Sequence, residues 1–282
     1  MYGIHINSDP NIIIDEINEI ESYNHKYFKC VQLFVNNSNK YKDVYNKFKD
    51  ICKEKLINII VHLSYTINIG QTWDEYSWWI TQLILEIELS IDIGAKFVVL
   101  HLGKSLDLDI NIALNNMFSC LLYISNKLKH KIPENFKILL ETSSGQGSEM
   151  CINLEDLSNF INKLLNNKNN YISNLFGICI DTCHIFNAGY DLNTTTDVIK
   201  YIKEFDKLIG IKNIKLIHLN NSKTPLGSKI DRHDNLNTGQ IKLEGIKEII
   251  KFAYKLDIPI ILETPDDFID EDIELINHFF KF

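Results

Sequence analysis

The sequence predicts a single (β/α)8 TIM barrel over residues 1–282, and three observations predict it. Short β-branched runs alternate with longer segments of helical period. Most of those runs are continuously apolar, as parallel strands buried on both faces must be. No Pro/Gly/Ser-rich linker divides the chain. A chain of 282 residues could hold two domains, but an α/β barrel routinely fills about 250 residues as one unit. An open doubly wound sheet is the competing architecture. Eight alternations without a second cluster of strands favour the barrel.

The first strand is expected at Tyr2–Ile6, followed by a helical stripe of Ile13, Ile14, Ile17 and Ile20. Cys30–Phe34, Asn58–Leu63 and Phe97–Leu102 give the second to fourth strands. Trp73, Trp78 and Trp79 fall on a helix or its lead-in after the third, where core packing is the simpler role. Lys137–Glu141, Phe176–Asp181, Ile214–Leu219 and Pro259–Glu263 complete the eight. Ile246, Ile249, Ile250 and Ala253 form the apolar stripe between the last two strands, and Ile273, Ile276, Phe279 and Phe280 that of a closing helix.

Composition is that of an ordinary globular chain, 45% hydrophobic and 23% charged, so a substantial core is available. The longest apolar runs, such as Phe97–Leu100 and Ile258–Leu262, fall far short of the ~20 residues of a membrane helix. Met1-Tyr2-Gly3-Ile4-His5 offers no basic region leading into an apolar stretch, so no secretory signal is expected. Six scattered cysteines without a signal are expected to be reduced thiols of an intracellular protein, in cytoplasm, nucleus or virus particle, and not secreted. The Asn166-Asn167-Lys168-Asn169-Asn170 run reflects the bias of an A·T-rich genome. A net charge of −8 argues at first against a nucleic-acid partner, but that sum omits bound metal ions.

In a barrel the C-terminal strand ends form the active face. Six of the eight runs end on, or within a residue or two of, a metal-ligating residue type, at His62, His101, Glu141, Asp181, His218 and Glu263. One such histidine is more often a hydrogen-bonded core residue. Six at matching places are different, because burying unpartnered carboxylates and imidazoles is expensive, and converging them on cations satisfies all of them at once. Asp181-Thr182-Cys183-His184 adds an imidazole where strand gives way to loop. Asp231-Arg232-His233 adds two more ligands in a long connection, Asn220–Ile241, of a length usually functional or disordered. Five His, two Asp and two Glu exceed the needs of one ion and suit two or three with a bridging carboxylate. The imidazole-rich set favours Zn2+, keeps Mn2+ as an alternative and disfavours Mg2+.

Three stretches carry a family resemblance. Leu140-Glu141-Thr142-Ser143-Ser144-Gly145-Gln146-Gly147-Ser148, Ile180-Asp181-Thr182-Cys183-His184-Ile185-Phe186-Asn187-Ala188-Gly189-Tyr190-Asp191 and Gly227-Ser228-Lys229-Ile230-Asp231-Arg232-His233 closely resemble the signatures of the endonuclease IV family of apurinic/apyrimidinic (AP) endonucleases. The likeness runs from Gly3-Ile4-His5 to Glu263-Thr264-Pro265. It implies three zinc ions, with Mn2+ the alternative at one. His62, His101 and Glu141 would hold the first; Glu141 would bridge to a second, held by Asp181, His218 and Glu263; His184, Asp231 and His233 would hold the third. The implied reaction is hydrolysis of the phosphodiester 5′ to an abasic site in duplex DNA, leaving a 3′-hydroxyl and a 5′-deoxyribose phosphate, together with cleaning of blocked 3′ ends. Glu141 is the expected catalytic carboxylate, setting the metal spacing and orienting the attacking hydroxide. Three divalent ions would outweigh the four ligand carboxylates, giving DNA a focused positive site in an acidic molecule. Lys104, Lys223, Lys229 and Arg232 are expected to supplement it, and Tyr65 matches a family residue that wedges into the duplex. The family implies a monomer.

Some positions depart from the family. Asn39 stands where relatives often carry an inserting Arg, and Asn221 replaces a common Asp. Asn237 occupies a usual Gly position, where left-handed backbone is expected. None is a metal ligand, so altered DNA affinity is expected rather than lost chemistry. Leu102-Gly103-Lys104-Ser105 resembles the end of a phosphate-binding loop but lacks its first glycine. Cys179 and Cys183 are expected to stay thiols, and Cys30, Cys52, Cys120 and Cys151 show no metal spacing. His5 ends the first strand and is expected beside the ligands; His25, His130 and His278 are read as surface or helix residues. Two rival functions stand: a metal-dependent sugar isomerase on a similar barrel, which needs fewer ligands, and a non-catalytic lesion-binding protein.

Overall fold

A computed structural model of the chain describes residues 1–20 and 26–280. Its eight-stranded parallel barrel comprises β1 (Tyr2–His5), β2 (Phe28–Leu33), β3 (Asn58–His62), β4 (Phe97–His101), β5 (Lys137–Glu141), β6 (Phe176–Asp181), β7 (Ile214–His218) and β10 (Ile260–Leu262), with β10 pairing β1 to close the ring. Each expected run is a strand. Most bounds agree within a residue; β2 begins earlier, at Phe28.

The helices are α1 (Ile13–Glu19), α2 (Lys42–Glu54), α3 (Trp78–Asp92), α4 (Ile110–Leu128), α5 (Leu154–Leu165), α6 (Asn170–Leu175), α7 (Thr182–Ala188), α8 (Thr195–Leu208), α9 (Leu243–Lys255) and α10 (Ile269–Phe279). Among the described residues none is long and apolar enough to cross a membrane. Two apolar layers result. Outward-facing strand residues such as Ile138 and Leu140 meet the helices, while Cys30, Ile60, Phe97, Val99, Leu139, Cys179, Leu216 and Ile261 fill the barrel interior.

Gly3 belongs to that interior by necessity: a Cβ there would lie 1.7 Å from the Cys30 carbonyl oxygen. All six cysteines are buried free thiols, as expected. His130 and His278 are exposed, and His25 lies outside the described residues.

Four local expectations are corrected. The residues after β6 form a helix rather than a loop: Asp181 caps α7, its Oδ1 accepting the His184 N–H at 2.8 Å. The long connection from Asn220 to Ile241 contains a short antiparallel pair, β8 (Asn221–Ser222) and β9 (His233–Asp234). It is pinned by Asn221, whose Nδ2 donates to the Leu236 and Ile241 carbonyls, both at 2.8 Å, while its Oδ1 accepts the Ile241 N–H at 2.7 Å. The carbonyl contacts require a donor, which an aspartate at this position would lack. Asn237, by contrast, is not among the residues with positive φ, so left-handed geometry does not explain it. Trp79 is buried and Trp73 packs against the core, but Trp78 is 69% exposed, because the buried face of α3 runs through Trp79, Leu83 and Ile87.

Candidate metal centre

Side chains on a strand alternate between faces, so a residue two beyond an interior one also points inward. Ile60, Val99, Leu139, Cys179, Leu216 and Ile261 line the interior, and two residues after each comes His62, His101, Glu141, Asp181, His218 or Glu263. The six strand-end residues therefore form the next layer up, at the C-terminal mouth. α7 delivers His184 from its first turn, and the β8–β9 connection delivers Asp231 and His233.

Ligand atoms of all nine residues meet in three groups free of thiols: His62, His101 and Glu141; Glu141, Asp181, His218 and Glu263; and His184, Asp231 and His233, with the atoms of each group within 4.8 Å of one another; Cys179 also lies that close to Glu141 and His218, and Cys183 to Asp181 and His233. Glu141 belongs to two of them. Its Oε2 lies 2.9 Å from His101 Nε2 and 3.3 Å from His62 Nε2, while its Oε1 lies 2.8 Å from His218 Nδ1. In the third group Asp231 sits between two rings, Oδ2 at 3.1 Å from His184 Nε2 and Oδ1 at 3.3 Å from His233 Nε2.

Backbone carbonyls set the tautomers. His62 Nδ1 meets the Leu63 carbonyl at 2.8 Å, His184 Nδ1 that of Thr142 at 2.8 Å, and His233 Nδ1 that of Glu263 at 3.2 Å. A carbonyl can only accept, so in each ring Nδ1 carries a hydrogen, and whenever the ring is neutral Nε2 presents its lone pair to the group. His184 Nε2 and His233 Nε2 are buried and have no hydrogen-bond partner among the described residues. Ring nitrogens facing carboxylate oxygens suit a cation between them, either a proton or a metal ion in its place, so the donor set fits metal binding.

The charges point the same way. Burial alone would lift the carboxyls, yet His101 and His218 hold Glu141 well below the usual carboxylate range, His218 does the same for Glu263, and His184 and His233 depress Asp231. Asp181 is instead pushed up by burial. Burial works against charge on the imidazoles too, but Asp181 and Asp231 hold the His184 pKa well above its ordinary value, and the same carboxylates with Glu263 bring His233 to about 9. His62 is pushed down by burial. Four carboxylates draw positive charge onto the site, and divalent ions would supply it while leaving the rings neutral.

Several supporting residues escaped the sequence reading. Gln32, fully buried on β2, touches His218, Glu263 and His5. Asn220 donates to Asp181 Oδ2 at 2.6 Å and accepts the Glu263 N–H at 2.9 Å. Gln146 Oε1 accepts the Asp231 N–H at 3.0 Å.

The mouth opens into a cavity of about 710 Å3 whose wall includes Tyr65, Trp78 and Lys104 beside the ligand residues. Tyr65 is 70% exposed, its ring edge-on to Phe34 at 5.9 Å. Lys104 faces Glu149 at 3.6 Å. Lys223, Lys229, Arg232 and Asn39 lie outside that wall, and the Arg232 Nη1 folds back onto the Asp231 carbonyl at 2.5 Å.

Fold and mouth together define a xylose isomerase-like TIM barrel, and the family model of that description matches residues 23–278. Within this class, the probable endonuclease 4 of Malacoplasma penetrans is 37% identical over 223 residues, 76% of this chain and 72% of the relative. That of Ureaplasma urealyticum is 38% identical over 247 residues, 84% and 76% of the two chains. The chain belongs to the endonuclease IV family. Endonuclease IV from Thermus thermophilus superimposes with a TM-score of 0.75 at 22% identity, covering 99% of this chain and 97% of that one. A D-tagatose 3-epimerase-like protein gives 0.71 at 17% identity, with the same coverage. At these identities the structural likeness is one of fold.

Proposed function

We propose that this chain is a metal-dependent AP endonuclease of DNA repair, a single domain over residues 1–282 acting as a monomer on duplex DNA. It cleaves the phosphodiester 5′ to an abasic site, leaving a 3′-hydroxyl and a 5′-deoxyribose phosphate, and clears blocked 3′ ends. The observation that carries this reading is the meeting of nine ligand side chains in three groups joined through Glu141, with the buried Nε2 atoms of His184 and His233 unpartnered among the described residues.

Three ions are proposed, zinc throughout or with Mn2+ at one site, distributed over the three groups. When bound, such ions supply a water that ionises near neutral pH and positive charge against the phosphate oxygens. Glu141 gives one oxygen to each of two groups and so sets their separation. His62, His184 and His233, their Nδ1 hydrogens tied to carbonyls, hold their lone pairs aimed before substrate arrives. Tyr65 offers a stacking surface at the rim, and Lys229 and Arg232, on the loop that carries Asp231, are assigned to the DNA backbone in this reading. A missing base lowers the cost of exposing the nucleotide to such a site.

The deciding experiment incubates the protein with a duplex oligonucleotide carrying one abasic analogue, maps the cut and counts metals by mass spectrometry, with Glu141→Ala in parallel. Incision on the 5′ side by native protein, lost in Glu141→Ala, is the expected result. Uncut DNA bound by fully loaded protein would make it a lesion-binding module. Sugar turnover without incision would make it an isomerase, a reading that the additional His184–Asp231–His233 group disfavours.

A further inference from the structure

We infer that Gln32 is a positioning residue that fixes which ring nitrogen of His218, and which oxygen of Glu263, faces the cation cluster. His218 differs from the other four histidines. His62, His101, His184 and His233 turn Nε2 toward the carboxylates, whereas His218 turns Nδ1, which lies 2.8 Å from Glu141 Oε1 and 3.1 Å from Glu263 Oε2. Its Nε2 therefore faces away from the carboxylates, toward Gln32 Oε1 at 2.9 Å.

The orientation of the Gln32 amide follows from its second contact. Gln32 Nε2 lies 2.5 Å from Glu263 Oε1, and a carboxylate oxygen can only accept, so the NH2 end must face Glu263. The same NH2 donates to His5 Nδ1 at 3.0 Å. The carbonyl end is left for His218, whose Nε2 must then carry the hydrogen. His218 Nδ1 is consequently a bare lone pair aimed at the group, while Glu263 Oε1 is engaged from behind and Oε2 is left to face inward. A flipped amide would set its oxygen against a carboxylate oxygen in a buried site, where electrostatic repulsion is least screened.

Carbonyls of the main chain orient His62, His184 and His233, whereas His218 Nε2 meets a side chain, the Gln32 amide. Gln32 reaches it from β2, two residues beyond the interior Cys30. Gln32 is neutral and is not a ligand type, so its effect passes through the residues it touches.

The inference rests on the reading that this cluster holds metal, and the test separates the two. Native protein, Gln32→Leu and Gln32→Glu would be loaded with zinc, titrated with a chelator while bound metal is counted, and their histidine ring nitrogens assigned by 15N NMR. Native protein should show His218 with hydrogen on Nε2 and metal on Nδ1. Gln32→Leu should release an ion at about 10- to 100-fold lower chelator concentration and lose the His218 signature, leaving the ring signals of His184 and His233 in place. Gln32→Glu keeps an acceptor for His218 but sets a charge against Glu263, so it should restore the His218 signature and not the metal retention. Native protein with hydrogen on His218 Nδ1, or Gln32→Leu matching native protein in both readouts, would overturn the inference while leaving the metal reading intact. Native protein that binds no zinc would overturn the metal reading itself. The native tautomer requires no variant, so a Gln32→Leu chain that fails to fold leaves the inference testable.

Discussion

Glu141 Oε1 and His218 Nδ1 lie 2.8 Å apart at the centre of the barrel mouth, on side chains almost wholly closed to solvent. One carboxylate thereby belongs to two ligand groups, its other oxygen facing His62 and His101. Removing it should damage more than one metal position. Glu141→Ala is expected to carry at least one fewer ion per chain than native protein and to lower incision of an abasic duplex by at least about 100-fold. Full metal content with native incision would show that the bridge is not required.

Stripping the metals should expose a pH dependence that the loaded protein lacks. In the folded chain His233 is raised to about 9, against about 6.5 for an unfolded histidine, by Asp181, Asp231 and Glu263 acting against burial. A raised histidine stabilises the fold fully below its unfolded pKa, and that contribution is lost as pH rises through the folded value. Asp231, depressed by His184 and His233, contributes the opposite way: its stabilisation is present above the ordinary carboxylate pKa and is lost on acidification. Chelator-treated protein should therefore melt at falling temperatures as pH is raised from about 6.5 to about 9. Zinc-loaded protein should be far flatter over that interval, because its rings are already neutral, and should lose stability on acidification as protons displace the metal. A chelated protein with constant Tm across the interval would contradict the charge pattern.

The recurrence of ligand types at the C-terminal ends of six strands made most of this site legible in the sequence. That repetition distinguishes the set from isolated core histidines, and the structure adds that each ligand stands two residues after a buried interior position. The same rule points to Gln32 after Cys30 and to His5 after Gly3, but an amide does not announce a metal site and Gln32 was passed over. The helical turn at Thr182–Ala188 was obscured by β-branched and aromatic residues of modest helix propensity, although Asp181 is a good cap for it. β8 and β9 have two residues each, too few for any periodicity. Trp78 was hidden for another reason: one aromatic beside another gives no sign of which belongs to the buried face.

All six thiols should be silent in the native state. Burial pushes Cys30, Cys52, Cys120, Cys151, Cys179 and Cys183 each up to about 12, so almost no thiolate is present at pH 8. A chromogenic disulfide reagent should titrate none of them rapidly in folded protein and six after denaturation. A fast-reacting thiol before unfolding would place at least one cysteine outside the packing described.

The segment carrying Asp231 and His233 depends on a close approach between Gly239 and Asn221. A Cβ on residue 239 would lie 2.4 Å from Asn221 Cγ, whose amide holds the Leu236 and Ile241 main chain. Gly239→Ala should thus cost about 1–3 kcal/mol of stability and loosen metal retention at the third group more than at the first. Chemical denaturation and chelator titration measure the two effects. A variant as stable as native protein and equally retentive would show that the connection accommodates the methyl group freely.

Tyr65 and Trp78 share the wall of the cavity above the ligands, exposed by 70% and 69%, and neither is needed for the core. Exposed aromatic faces beside a metal mouth are suited to bases loosened around a lesion, and such stacking is worth about 1–3 kcal/mol per base. Tyr65→Ala and Trp78→Ala should each weaken binding of an abasic duplex by roughly 5- to 150-fold on that scale, with metal content and melting temperature close to native. Trp78 also reports directly: DNA should quench part of the native tryptophan fluorescence, and Trp78→Phe should remove that response because Trp79 is buried and Trp73 packs against the core. Tyr65 and Trp78 are the exposed aromatic rings of that wall. Quenching that persists in Trp78→Phe, or native affinity in both alanine variants, would move the DNA path away from this side of the mouth.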